Sequence, residues 1–270
     1  MQHQTLFVFD IETIYDIRAA KDLTGIDSDS PQVLRKSLED YHLSITDGNN
    51  SFPRQPFHKI IAISYLEADI HRGKNGEVYN LRNIRSGGKI DSSEKELLEG
   101  FFSYLERSKP RLVSYNGRSF DLPVLKYRAM LHGISAGWFY SAGDKWNSYN
   151  SRYSLDWHCD LLDALSDFGA SARCKLNEIC AVLGYPGKIG VDGSMVSGLY
   201  DEGRLQEIRD YCETDVLNTY LVYLRYMQHK GELSLENYNQ AIADVVLFLE
   251  NNKDEKKHFA DFSEAWKKCV

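Results

Sequence analysis

The apolar run Leu6-Phe7-Val8-Phe9 leads directly into Asp10-Ile11-Glu12 and predicts a buried strand over residues 5–11. Side chains two apart on a strand share a face, so Asp10 and Glu12 are expected side by side at its end. Residues 16–57 then turn polar, with loop signals at 28–31 and 47–51 and a short helix near 31–42. A second apolar run, 59–66, reads as an interior strand. A turn at Gly73 to Gly76 leads to a weaker strand over 77–84. Ser92 or Ser93 opens a helix with acids in its first turn, running to about Arg107. Residues 111–115 form a fourth strand that enters Asn116-Gly117, and a helix with Pro123 in its first turn continues to Gly133. A further strand is expected within 153–160, with helical segments at 160–167, 175–184 and 193–202. A long helix follows from Leu205 to His229, stopped by Gly231, then a helix over 235–251 and an amphipathic piece at 259–268. This alternation of strands and helices predicts an α/β architecture.

Chemistry gathers at a few of these elements. Two buried carboxylates side by side are costly unless a positive charge lies between them. Asp10 and Glu12 are thus either solvated acids at a surface strand end or ligands of a hard divalent cation. Asp121 stands at a helix entry, where it either caps the helix or faces the same centre. Tyr211 and Asp215, four apart, share one face of the long helix. The aromatic stretch 137–157 either packs or stacks on unpaired bases. Arg173, Lys175 and Lys188 are either phosphate contacts or solvated cations. The loop Gly184 to Gly190 lacks the spacing of a phosphate-binding glycine motif, which excludes a P-loop enzyme. The insertion 16–57 reads equally as a mobile lid or an inert surface loop.

Composition narrows this picture. With 270 residues, 43% apolar and 12% aromatic, the chain can bury a full core as one large domain or two small ones. Its formal charge of −7, from 32 Lys and Arg against 39 Asp and Glu, argues against a basic nucleic-acid coat protein. It leaves room for an enzyme acting on nucleic acid, because bound metal reverses the local sign. Five cysteines at 159, 174, 180, 212 and 269 show no zinc-site spacing and read as reduced thiols of a cytoplasmic protein. No leader and no membrane-spanning stretch is apparent.

Three motifs in one order give a resemblance. Asp10-x-Glu12, Asn116-x-x-x-Phe120-Asp121 and Tyr211-x-x-x-Asp215 resemble the three motifs of the DEDD superfamily of 3′→5′ exonucleases, in its tyrosine-bearing subclass. The words Phe9-Asp-Ile-Glu-Thr13, His58-Lys-Ile-Ile-Ala-Ile-Ser64, Phe120-Asp-Leu-Pro-Val-Leu125 and Tyr211-Cys-Glu-Thr-Asp-Val-Leu-Asn-Thr-Tyr220 look like the bacterial predicted exonucleases related to the proofreading domain of B-family DNA polymerases. The subclass with His five residues before the last Asp is not met, since that position is Asp210. His158 stands five before Asp163, but no long helix continues from it, and it is discounted.

The resemblance covers about residues 5–225 and implies a ribonuclease H-like α/β fold, a mixed sheet of about five strands flanked by helices. It implies two ions, Mg²⁺ or Mn²⁺, about 3.5–4 Å apart. Asp10 would bridge them, Glu12 and Asp215 would complete one site, and Asp121 would serve the other. Tyr211 would orient the attacking water, and Thr13, Asn116 and Phe120 would touch the terminal nucleotide. The implied substrate is the 3′ end of single-stranded DNA, preferred over RNA, cleaved to nucleoside monophosphates. An exoribonuclease and an inactive nucleic-acid-binding module are the alternatives. The division expected is an exonuclease domain over 1–230 and a helical extension over 231–270 that offers a docking surface to a partner protein. With no room left for a polymerase domain, the chain is expected to act free-standing or in trans.

Overall fold

The computed structural model describes residues 3–74, 76–190 and 192–269. Five strands carry the fold: β1 (Thr5–Tyr15), β2 (His58–Gly73), β3 (Gly76–Ser86), β4 (Arg111–Ser114) and β5 (His158–Asp160). They form one mixed sheet in the order β3-β2-β1-β4-β5. β2 runs antiparallel to β1 and to β3, while β1, β4 and β5 are parallel. This is the ribonuclease H-like sheet that the motifs imply. β1 lies at its centre, which explains why Leu6 to Phe9 are all buried. β2 and β3 extend past the expected limits, and Gly73 pairs with Gly76 across the tight turn. Asn75, within that turn, lies outside the described residues.

Strand parity divides the core. Leu6 and Val8 face a cluster built on α9 (Leu205–His229), including Val216, Leu217 and Tyr220. Phe7, Phe9 and Ile11 face the other side, against α3 (Glu94–Ser108) and α4 (Asp121–Leu131). Even-numbered positions of β1 therefore look toward α9, and the carboxylates at 10 and 12 continue that row. The pairing of β1 with β2 shifts register between Glu12 and Thr13, a bulge next to the acids.

The polar insertion is more ordered than a loop reading allows. It folds into α1 (Ile17–Thr24) and α2 (Pro31–Ser44), which bury Ala20, Leu34 and Leu38 between them. Asp16 caps α1 by accepting from the amides of Arg18 and Ala19, and Ser30 caps α2. Asp16 also reaches across to α4. Its Oδ2 accepts from Arg128 Nη1 at 2.6 Å, while Glu94 of α3 takes the other side of that guanidinium at 2.7 Å.

The remaining helices are α5 (Gly137–Ser141), α6 (Leu161–Leu165), α7 (Leu176–Leu183), α8 (Val196–Asp201), α10 (Leu235–Asn252) and α11 (Lys257–Lys267). The last two do not stand apart from the core. Tyr238, Ala241, Val245 and Leu249 of α10 and Phe259 and Phe262 of α11 join the cluster around α9. All five cysteines are free. Among the described residues no helix is long and apolar enough to cross a membrane.

Candidate active site

Three elements deliver four carboxyl groups to one place. Asp10 and Glu12 stand at the end of the apolar part of β1, on the face toward α9. Asp121 is the first residue of α4, and its Oδ1 accepts from the Ile11 amide at 3.1 Å. It does not cap its helix, whose N-terminus has no side-chain cap. The carboxylate is instead turned to the strand. Asp215 projects from α9, with Tyr211 one turn earlier.

The electrostatics tie the four acids together. Burial pushes the Asp10 carboxyl well above the usual range, and Asp121, Glu12 and Asp215 push it further. Glu12 is raised in the same way, by burial, Asp215 and Asp121, with Lys188 opposing. Burial lifts Asp121 to about 7 despite the Ile11 amide. Burial lifts Asp215 to about 6, with hydrogen bonding from Tyr211 and the charge of Lys188 opposing. The Tyr211 hydroxyl is held protonated by burial and by Asp215, Glu12 and Asp10. Such a cluster favours neutrality, which protonation or a hard cation would supply.

One atom bears on the fit directly. Oδ1 of Asp215 is buried and has no hydrogen-bond partner among the described residues. A buried carboxylate oxygen without a partner is costly, and a divalent cation resolves that cost. The donor set is oxygen from four carboxyls, which suits Mg²⁺ or Mn²⁺. Cys212 adds a soft atom at the edge. Its Sγ donates to the carbonyl and to Oδ2 of Asp10, both at 3.5 Å. Ligand atoms of Asp10, Glu12 and Cys212 all lie within 4.8 Å of one another.

Lys188 is the cation of the site. Its Nζ lies 5.6 Å from the centroid of the Tyr211 ring. The loop that carries it is fastened to α9: the Gly187 amide donates to Asn218 Oδ1, and Asn218 Nδ2 donates back to the Gly187 carbonyl. The Lys188 amide donates to Asn177 Oδ1. Gly187 has φ +65, and a Cβ there would sit 2.3 Å from Asn177 Oδ1, so glycine is required. Asn177 is not singled out by the sequence, and Asn218 stands there only within the word Tyr211–Tyr220, without a role of its own. The available sign was a polar residue on an otherwise buried helix face, which Asn218 is.

Thr13 and Phe120 meet around His58. The His58 Nε2 donates to the Pro53 carbonyl, leaving Nδ1 to accept from the Thr13 hydroxyl at 2.9 Å. Burial lowers the pKa of this ring, in keeping with the neutral form. Phe120 packs edge-on to His58 at 4.9 Å, and Phe52 of the insertion completes the group at 5.9 Å from Phe120. Asn116 is fixed through its backbone. It takes φ 67, its amide donates to Asp160, and its carbonyl accepts from Ser119 and Phe120, which shapes the turn into Asp121. Phe52 is not singled out by the sequence, and His58 stands there only within the word His58–Ser64, without a role of its own.

His158 and Asp163 are occupied elsewhere. His158 is fully buried, bonds Ser114 Oγ through Nε2, and is kept neutral by burial. Asp163 pairs with Arg152 and Arg173. Tyr211 also borders a cavity of about 350 Å³ whose other wall is His258, Lys257 and Asp261 of α11.

Fold and site together define an α/β domain whose central strand and two helices build a carboxylate centre suited to divalent cations. The chain belongs to the family described as predicted 3′-5′ exonucleases related to the exonuclease domain of PolB, whose model matches residues 50–266. The match includes Asp121, Tyr211 and Asp215 and begins after Asp10 and Glu12. It runs through α10 and nearly all of α11, well past the last motif. Curated relatives include the catalytic subunit of DNA polymerase epsilon from Schizosaccharomyces pombe, 29% identical over 73% of this chain and 10% of that protein. The corresponding subunit of Dictyostelium discoideum is 30% identical over 76% of this chain and 9% of that protein. The chain thus spans about a tenth of the length of these relatives. Among solved structures, the family B DNA polymerase from the hyperthermophilic archaeon Pyrobaculum calidifontis aligns with 94% of this chain and 29% of its own, at 15% identity and a TM-score of 0.48.

Proposed function

We propose that the protein is a metal-dependent 3′→5′ exonuclease. It hydrolyses the terminal phosphodiester of single-stranded nucleic acid, DNA in preference to RNA, and releases nucleoside monophosphates. The observation that carries this reading is the convergence of four carboxyls, with an Asp215 Oδ1 that has no partner among the described residues. Asp10, Glu12, Asp121 and Asp215 would hold two ions, Mg²⁺ or Mn²⁺. When bound, such ions neutralise the acids and stabilise charge on the attacking and leaving oxygens of an in-line displacement.

The chain's own residues supply the rest. Tyr211 keeps its proton and is therefore a positioning group for the attacking water, not a base. Lys188, over the Tyr211 ring, offers a positive charge to the phosphate. Phe120 and Phe52 form an aromatic wall beside Thr13, and Phe52 is half exposed, which suits stacking on a terminal base. Ordered packing of the insertion against this wall favours a fixed border to the cleft.

The test is direct. DNA and RNA oligonucleotides labelled at the 5′ end are incubated with the protein and Mg²⁺, Mn²⁺ or a chelator. A ladder shortening from the 3′ end, abolished by chelation and by Asp10→Ala, is expected, with DNA degraded faster. Intact substrate in every lane would overturn the reading. Faster loss of RNA would move it to an exoribonuclease.

A further inference from the structure

The exonuclease reading leaves a second group of residues unused. Beside the Arg118–Pro123 segment lies a cavity of about 400 Å³ lined by four cations, Arg118, Lys126, Arg152 and Arg173. One acid, Asp163, lines it with them. In a chain of net charge −7 this is a local excess of positive charge.

The bonding of each cation says which are available. Arg118 is spent on structure: its guanidinium donates to the carbonyls of Tyr149, Ser151 and His158. Arg152 is also engaged, gripping both oxygens of Asp163 at 3.0 and 2.9 Å. Arg173 shares that same carboxylate through one nitrogen at 2.9 Å. One negative charge therefore serves two guanidiniums. Lys126 has no carboxylate partner among the described residues and bonds only the side-chain oxygen of Asn150 at 3.0 Å. Burial and Arg118 lower its pKa, as expected of a lysine among like charges.

Aromatic rings flank these cations. Lys126 Nζ lies 5.4 Å from the ring centroid of Tyr140, a residue 60% exposed. On the other side, Arg152 lies over Phe168, and Phe168 packs against Tyr153, which is 71% exposed. Exposed rings beside an excess of cations match a single strand, whose bases stack on any aromatic face and whose phosphates take charge-assisted hydrogen bonds. A duplex would hide its base faces.

We infer that this cavity is a second contact site for single-stranded nucleic acid, holding phosphates upstream of the 3′ end at Lys126 and Arg173 while Tyr140 and Tyr153 stack on bases. The inference rests on the exonuclease reading for the strand's direction. One segment joins the two sites: Arg118 and Ser119, which line the cavity, precede Asp121, and Leu122 and Pro123, which also line it, follow it.

The variant to make is Lys126→Gln with Arg173→Gln, since Arg152 still neutralises Asp163. Binding of a long, dye-labelled DNA single strand is followed by fluorescence anisotropy in chelator across a salt series, and cleavage of that strand and of a dinucleotide is measured with Mg²⁺. The variant should bind the long strand roughly fivefold or more weakly, and its log–log salt slope should fall by about 0.7 for each cation removed. Its KM for the long strand should rise with kcat kept, and dinucleotide cleavage should not change. Unchanged binding and an unchanged salt slope would overturn the inference while leaving the exonuclease reading intact. A parent protein that binds the strand through these residues yet cleaves nothing would sink the exonuclease reading and leave the strand site standing. If the double variant melts early, Tyr140→Ala with Tyr153→Ala replaces it, with the same expected loss of long-strand affinity and the same overturning result.

Discussion

The thiol of Cys212, on α9, lies 3.5 Å from a carboxylate oxygen of Asp10 on β1, although 202 residues separate them in sequence. A thiol is a weak donor, so its loss should cost little in a hard-cation reaction. Cys212→Ser should keep Mg²⁺-dependent cleavage within a few-fold of the parent. Soft cations should behave differently, because thiolate favours them. Cd²⁺ added at constant Mg²⁺ should inhibit the parent at lower concentration than Cys212→Ser. Equal inhibition curves would remove Cys212 from the metal environment.

The raised carboxyls set a pH dependence for the metal-free protein. An unfolded Asp titrates near 3.9, whereas burial holds Asp215 at about 6 and Asp121 at about 7. Between those limits the native state binds more protons than the unfolded state, so stability falls as pH rises. The penalty is absent below about pH 4 and complete above about pH 7. Thermal melts in chelator should therefore show parent stability declining from pH 5 to pH 8 more steeply than that of Asp215→Asn. Saturating Mg²⁺ at pH 8 should raise the parent's Tm and leave the variant nearly unmoved. Parallel pH profiles for the two proteins would contradict the charge-cluster account.

Tyr211 gives the sharpest kinetic test. Its hydroxyl bonds Asp215 and stays protonated. Tyr211→Phe should lower kcat by roughly 10²-fold, the scale of a misplaced reactant, while the Mg²⁺ concentration for half-maximal Tm shift stays the same. A variant as fast as the parent would make Tyr211 a packing residue.

Stability should depend heavily on Arg128. Its side chain is 2% exposed and held between Asp16 and Glu94, both also buried. Removing one member of such a group leaves uncompensated buried charge, at a cost of about 3–5 kcal/mol. Arg128→Met should lose that much in urea unfolding. A loss under about 1 kcal/mol would mean that the network relaxes freely.

The sequence disclosed much of this architecture because its strongest patterns are local. The run Leu6–Phe9 reads as an interior strand, and the spacing of Asp10 from Glu12 and of Tyr211 from Asp215 follows from strand and helix periods. What stayed hidden depends on long-range packing. α1 fully buries only Ala20, with Ile17 partly buried beside it, so its apolar stripe is short and easily lost among polar neighbours. Cys212 reaches the site through β1–α9 packing, and Lys188, named from sequence as a possible phosphate contact, is brought to Tyr211 by a loop pinned by asparagines, neither of which has a local signature. The 259–268 piece was visible as amphipathic, but only the fold reveals that Phe259 and Phe262 enter the main core.

The alternation along β1 bears on which changes in chain length the gene can tolerate. Phe7, Phe9 and Ile11 fill one side of the sheet while Asp10 and Glu12 occupy the other. Loss or gain of one codon between Leu6 and Phe9 would exchange the two rows. Acids would be driven into the α3–α4 packing and phenylalanines into the charged cleft. Folding and chemistry would fail in the same step. Viable deletions in this part of the gene must therefore come in pairs of residues, or fall outside the strand.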